Sequence, residues 1–201
     1  MEKSKMVECI RDGFKAYELF VNKEIHYVYG KDNVYKKVIF KAKRNDFMHL
    51  CGVTYLDPKT KVEVSRKHFY ELVKDDKISP SFLIEKADGT TELKLQVIAN
   101  LKDILTPKIR VIDGQVTFAS FSFDSGLRTG RQVFALALIE ENPQSEIFVP
   151  YSLLNLQTDK NHQLKKSYPV HCIYSVERGK EDFIHFESEE YKKNREKVKQ
   201  K

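Results

Sequence analysis

The feature that most constrains this chain is the series of short apolar runs that fills its second half. Ile109 to Ile112, Val116 to Phe123, Val133 to Ile139, Ile147 to Leu154, Val170 to Val176 and Phe183 to Phe186 all have strand-like length and content. Turn-forming or polar stretches separate them: Asp113-Gly114, Ser125 to Gly130, Asn142-Pro143, Asp159 to His162 and Arg178-Gly179. Strands this short, at this spacing, predict a mainly antiparallel sheet.

The first half has a different texture. Val7, Ile10, Phe14, Tyr17 and Val21 recur every three or four residues, so Met1 to about Phe20 reads as a helix that Gly13 weakens locally. Glu24 to Tyr29 and Tyr35 to Ala42 read as a hairpin about a Gly30 to Asn33 turn, with His26 in a surface or pairing role. Asn45 or Asp46 is suited to cap a short helix through Cys51, and Ser65 to cap another over Arg66 to Val73. A helix after Ala87 to Thr90 runs to Leu105, with Leu93, Val97, Leu101, Ile104 and Leu105 on its buried side, and Thr106-Pro107 ends it. Helices early and strands late predict an α+β fold, as one domain over 1–187. Residues 188–201 form a charged tail, helical or disordered.

Composition narrows function by exclusion. With 201 residues, 41% hydrophobic and 32% charged, the chain can bury a real core. No apolar run approaches the ~20 residues of a membrane span, and the charged first ten residues hold no signal-peptide core. The expectation is a cytoplasmic protein with no membrane partner. Cys9, Cys51 and Cys172 are far apart and form no CxxC, which favours reduced thiols over a disulfide framework or zinc. The net charge is +6, and the tail supplies half of it, so nucleic acid is a permitted partner without being demanded. GxxxxGK[ST], HExxH, GxSxG and GxGxxG are all missing, and six scattered histidines lack ligand spacing. No metal and no cofactor is expected.

The chemistry that remains needs few groups. RNA can be cut without metal if a base takes the 2′-OH proton, an acid protonates the 5′-oxygen, and cations stabilise the phosphorane. Phe47-Met48-His49-Leu50-Cys51-Gly52 sets a histidine among apolar neighbours just after Lys41, Lys43 and Arg44. His49 is then the candidate base or acid, and the three cations are candidate phosphate ligands. The plainer reading is a core histidine bonded to backbone. Arg128 and Arg131, in a Gly-containing loop from Asp124 to Arg131, are suited to fork onto phosphate, or simply to line a solvated turn. Tyr151 and Ser152 sit in a strand beside Leu153 and Leu154, where they either orient a phosphate or pack. His171 and His185 are weaker candidates for a second proton carrier.

Phe47-x-His49-Leu50-x-Gly52 resembles the Phe-x-His-Leu-x-Gly motif of the phage barnase–EndoU–colicin–RelE-like nucleases. A hairpin precedes it, a basic helix with Phe69-Tyr70 follows, and Pro150-x-Ser152 matches a later Pro-x-Ser segment. The similarity spans roughly Phe14 to Tyr174, and only the histidine motif is specific. It implies an α+β fold with a metal-independent ribonuclease site built on His49, with Tyr151 and Ser152 more weakly assigned. It also implies a home in phages or mobile elements. The family's central-strand polar positions have no match in Val116 to Phe123. The expected function is a ribonuclease acting as a toxin or counter-defence protein on tRNA, mRNA or guide RNA, with RNA and a host ribonucleoprotein complex as partners. The alternative is a non-catalytic inhibitor that binds nucleic acid or nucleoprotein on the same fold.

Overall fold

A computed structural model of the chain describes residues 1–118, 121–143, 145–157, 164, 166–177 and 179–199. The architecture is α+β. Helix α1 (Lys3–Glu18) leads into the hairpin β1 (Glu24–Lys31) and β2 (Val34–Lys41). Asp32 and Asn33 both take positive φ between these strands, the conformation that a tight two-residue hairpin turn requires. Next come α2 (Asp46–Cys51), β3 (Val53–Tyr55), α3 (Arg66–Lys74), β4 (Leu83–Glu85), α4 (Thr90–Val97) and a 3₁₀ segment, Ile98–Leu105. The strand-rich half follows: β5 (Ile109–Phe118), β6 (Phe121–Thr129), β7 (Phe134–Glu140), β8 (Ile147–Asn155), β9 (Ser167–Val176) and β10 (Phe183–Glu187). Helix α5 (Glu189–Lys199) closes the order.

The main sheet runs β1-β2-β8-β7-β6-β5-β9-β10, and β9 also pairs with β1. Seven strands therefore close into a ring, and β10 extends β9 outside it. All the pairings are antiparallel except β2–β8, which spans only Ile39↔Ile147 and Phe40↔Phe148. Beyond Phe148 the β8 edge has lost β2, and α2 and α4 pack against it there. That edge is where the candidate site forms.

Helix α1 buries Met6, Val7, Ile10, Phe14 and Tyr17 as one stripe, as the spacing predicts. Its aromatic residues meet Phe47 of α2: Phe14 lies 5.5 Å and Tyr17 5.0 Å from that ring, with Phe69 and Tyr70 of α3 just beyond. Burying a Phe side chain contributes about 1.5–3 kcal/mol, so this cluster fixes α2 firmly. A second, smaller core of Ile112, Val116, Phe123 and Ala137 also packs against the sheet, with Leu154 and Leu164 beside it.

Three expectations need correction. Asp113-Gly114 is not a strand separator. β5 continues through it with a bulge between Asp113 and Val116, where Gly114 takes φ +86°. The segment Asp124 to Thr129 is not a loop but the second half of β6, because the chain reverses before Phe121 instead. Along α4 the buried stripe is Thr91, Lys94, Leu95 and Val97, while Leu93 is 39% exposed. Of the two roles open to His26, the pairing one is met: it is buried and stacks on its cross-strand partner Tyr174 at 4.6 Å. The polar stretch expected over Asp159 to His162 and the Arg178 end of the Arg178-Gly179 separator lie outside the described residues.

Candidate active site

The Phe47-x-His49-Leu50-x-Gly52 pattern has a local physical account. Phe47 and Leu50 are fully buried, which turns the opposite side of this short helix, with His49, toward a half-exposed position. Gly52 ends α2 in the left-handed conformation (φ +69°), and its N–H donates to the His49 carbonyl. A side chain at Gly52 would also collide with the neighbouring helix, since its Cβ would stand 2.9 Å from Cδ of Lys94 and 3.3 Å from Cα of Thr91. The glycine thus both stops the helix and admits Lys94 beneath it. Thr91 holds the same junction through a hydrogen bond from its hydroxyl to the Gly52 carbonyl.

The two ring nitrogens of His49 face different partners. Nε2 lies 2.7 Å from the main-chain carbonyl of Tyr151, on the β8 edge that β2 has vacated. A carbonyl only accepts, so Nε2 carries the hydrogen and Nδ1 carries the lone pair. Nδ1 lies 3.5 Å from Nζ of Lys86. Lys94 Nζ reaches the His49 carbonyl at 3.4 Å. Burial holds the His49 imidazole below its ordinary pKa, and Lys94, Lys86 and Arg66 push in the same direction against the Tyr151 hydrogen bond. Lys94 is itself held low, by burial first and then by Lys86. The outcome is a neutral histidine whose Nδ1 lone pair faces the Lys86 ammonium, set among cations. Among the described residues, Lys86, Lys94 and Arg66 make no ion pair with a carboxylate.

The cations nearest in sequence go elsewhere. Lys41 pairs with Glu24 at 2.9 Å, Lys43 pairs with Glu141, and Arg44 pairs with Glu71 at 2.8 Å while lying over the Tyr70 ring. Tyr151 meets His49 through its main chain, and its ring packs edge-on against Phe121 at 5.7 Å. It occupies the extra position of a β8 bulge, where Leu138 faces Pro150 and Ala137 faces Ser152. No hydrogen bond among the described residues joins the Ser152 hydroxyl to His49. Arg128 lies within β6 and donates to Ser167, and Arg131 is exposed in the following turn. His171 faces Ser188 at 3.4 Å and His185 sits beside Phe183, so neither joins His49.

Sequence reasoning missed Lys86, Lys94 and the contribution of Arg66. A buried stripe containing Thr91 and Lys94 is invisible to a search for apolar periodicity. The collision at Gly52 is the signal that ties Lys94 to the motif, and it needs three dimensions. Among the described residues, no three His, Cys, Asp or Glu side chains come together as a metal-ligand set. No described helix is long and apolar enough to cross a membrane.

A ring-closed α+β sheet carrying a histidine with a lysine at its free nitrogen is an arrangement that proton transfer beside a phosphate can use. In agreement, the family model described as phage-Barnase-EndoU-ColicinE5/D-RelE like nuclease4 matches residues 9–192. The chain belongs to this family. No curated protein and no solved structure matches it.

Proposed function

We propose that the protein is a metal-independent endoribonuclease with His49 as its general base. One observation carries this reading: Nε2 of His49 is anchored on the Tyr151 carbonyl, so the lone pair of Nδ1 is fixed toward the Lys86 ammonium. A phosphodiester drawn to Lys86 and Arg66 brings its adjacent 2′-OH to that lone pair. His49 takes the 2′-OH proton, the 2′-oxygen attacks phosphorus, and the 5′-oxygen leaves with a proton from Lys86. The products are a 2′,3′-cyclic phosphate and a 5′-hydroxyl. Lys86 also offsets the charge that develops on the phosphorane, and buried Lys94 keeps His49 neutral before the reaction. The need for a 2′-OH selects RNA over DNA.

Tyr151 serves this scheme as the anchor of the imidazole, a positioning role exercised through its carbonyl. A phage or mobile-element setting fits this reading, as a toxin or counter-defence protein acting on tRNA, mRNA or guide RNA.

The test is incubation of the pure protein with total RNA and a defined guide RNA in EDTA, beside the His49→Ala form. Cleavage by the wild type alone, leaving cyclic-phosphate ends, supports the scheme. Intact RNA in both reactions overturns it and favours a binder on the same fold.

A further inference from the structure

A second cationic centre lies on the strands. Arg110 of β5 and Arg128 of β6 are direct cross-strand partners. Like charges placed opposite each other on a sheet destabilise it. Here both converge on one buried side chain: Nε of each arginine donates to the Ser167 hydroxyl at 2.9 Å, and Nη2 of Arg110 donates to the Ser167 carbonyl at 2.7 Å. Among the described residues no carboxylate meets either guanidinium, and most of their N–H groups have no partner. Burial and the neighbouring Arg110 both press on the charge of Arg128. Two half-buried cations held side by side, with no carboxylate partner among the described residues, have the form of an anion receptor.

The surroundings say which anion. Arg110 and Ser167 line a cleft of about 540 Å³ that also takes in Lys31, Lys166, Tyr168 and Tyr35. Lys31 and Lys166 lie over the Tyr168 ring at 5.6 and 5.7 Å. Lys31 is already paired with Asp113, and Asp32 and Glu190 also line the cleft, so Lys166 and Arg110 are its cations without a carboxylate partner among the described residues. Tyr35 is 40% exposed. Basic groups interleaved with aromatic rings suit a single nucleic-acid strand, whose phosphates pair with the cations while its bases stack.

The Tyr35 end of the cleft and the His49 end stand at different levels of the sheet. β2 runs parallel to β8 with Ile39 opposite Ile147, so Tyr35 and Tyr151 lie at opposite ends of that pair. Eight residues of strand separate the two levels, roughly 26 Å. Arg128 faces Ala135 in β7 and Ala135 faces Leu154 in β8, so by register it stands two strands across from β8 and three residues past Tyr151, while its partner Arg110 lines the cleft.

We propose that Arg110 and Arg128, gathered on Ser167, form a second phosphate site that grips the RNA backbone beyond the cleavage point, with Lys166 and the aromatic cleft holding the next nucleotides. This inference rests on RNA being the ligand, as the proposed function has it. It makes the substrate a strand of several nucleotides, since a dinucleotide does not span from the Tyr151 level to the Tyr35 level of the cleft.

The experiment measures binding of a fluorescein-labelled ~20-nucleotide RNA to the full chain carrying His49→Ala, so that cleavage plays no part. Adding Arg110→Gln with Arg128→Gln is expected to weaken binding about tenfold and to make the salt dependence shallower by about 0.7 in log–log slope, for the one phosphate no longer neutralised. Lys166→Gln, at an exposed position that the fold does not need, is expected to weaken binding about threefold with a slope change near 0.7. Orthophosphate is the second arm, and it is expected to compete only at tens of millimolar. Unchanged affinity and slope in Lys166→Gln and in the folded double variant overturn the proposal. Saturation by orthophosphate at low millimolar with no loss of RNA affinity in the variants also overturns it, and assigns the site to a free anion. If the wild type leaves RNA intact while this site still binds it, the nuclease reading falls and the second site stands.

Discussion

Two groups of three cations flank His49, one in sequence and one in space, and they behave in opposite ways. Lys41, Lys43 and Arg44 precede the motif directly, yet each is matched to a glutamate, Glu24, Glu141 or Glu71. Arg66, Lys86 and Lys94 come from α3, the segment after β4, and α4. They lie around the imidazole and make no carboxylate ion pair among the described residues. Exposed ion pairs contribute little to stability, but they do cancel local potential, so the first group offers a phosphate far less than its proximity in sequence suggests. The second group keeps more of its field because no carboxylate comes within ion-pair distance among the described residues, although Asp88 acts on Lys94 and Lys86 and Asp46 on Arg66, and because the dielectric is low at buried Lys94. Charge at a site is decided by what is left unpaired.

The largest effect that would sharpen this contrast is at His49. His49→Ala is expected to lower the RNA cleavage rate in EDTA by about 10²–10⁴-fold, the usual contribution of a general base. A variant that cuts at more than a tenth of the wild-type rate would remove His49 from the chemistry. Next comes Lys86→Met, with an expected loss on the order of 10²-fold, typical of one electrostatic stabiliser. Its pH profile carries the stronger information. The base must be neutral, and its pKa lies below the ordinary imidazole value, so activity should persist into mildly acidic buffer and fall only below that value. Removing Lys86 takes away one cation that holds the pKa down, so the acid limb should move to higher pH. An unmoved limb in a pH–rate series would separate Lys86 from His49.

Gly52→Ala tests the junction instead of the chemistry. A left-handed alanine costs about 1–2 kcal/mol, and the added methyl must displace Lys94. In a chain of this size, that lowers the melting temperature by about 2–8 °C in a thermal scan. The smallest effect is expected from replacing Lys41, Lys43 and Arg44 together by Gln. Their partners are exposed or half-exposed carboxylates, and cleavage should change by less than about threefold, within the range of weak surface pairs. If this triple change matched the loss from Lys86→Met in initial-rate assays, the contrast between the two groups would collapse.

Local signals in the sequence were readable to within a residue or two. Ser65 caps α3 by accepting a hydrogen bond from the His68 N–H, the hairpin turns at Asp32-Asn33, and α1 buries the stripe its spacing predicts. The errors fall where a turn residue serves a sheet. Gly114 supplies a bulge in place of a chain reversal, and the glycines of Asp124 to Gly130 do not break β6. Glycine has the same freedom in a turn and in a bulge, so composition cannot separate the two. Lys94 escaped because hydrophobic periodicity treats a buried lysine as a surface position, although its stem packs under Gly52 with its head on the His49 carbonyl.

The sequence by itself determined the α+β class, most of the helices and strands, the family motif and the histidine at its centre. Those features depend on caps, turns and periodicity, which act over a few residues of chain. Tertiary structure alone decided the partners of that histidine. Tyr151 lies 102 positions away and Lys86 37, and both arrive only because the β2–β8 pairing stops at Phe148 and opens an edge for α2 and α4. It likewise set Arg110 against Arg128 and brought Ser167 to both through the closure of the ring at β9. Hydrogen bonds and charge interactions depend on a few ångströms of space. Separation along the chain does not measure that distance, and strand register does.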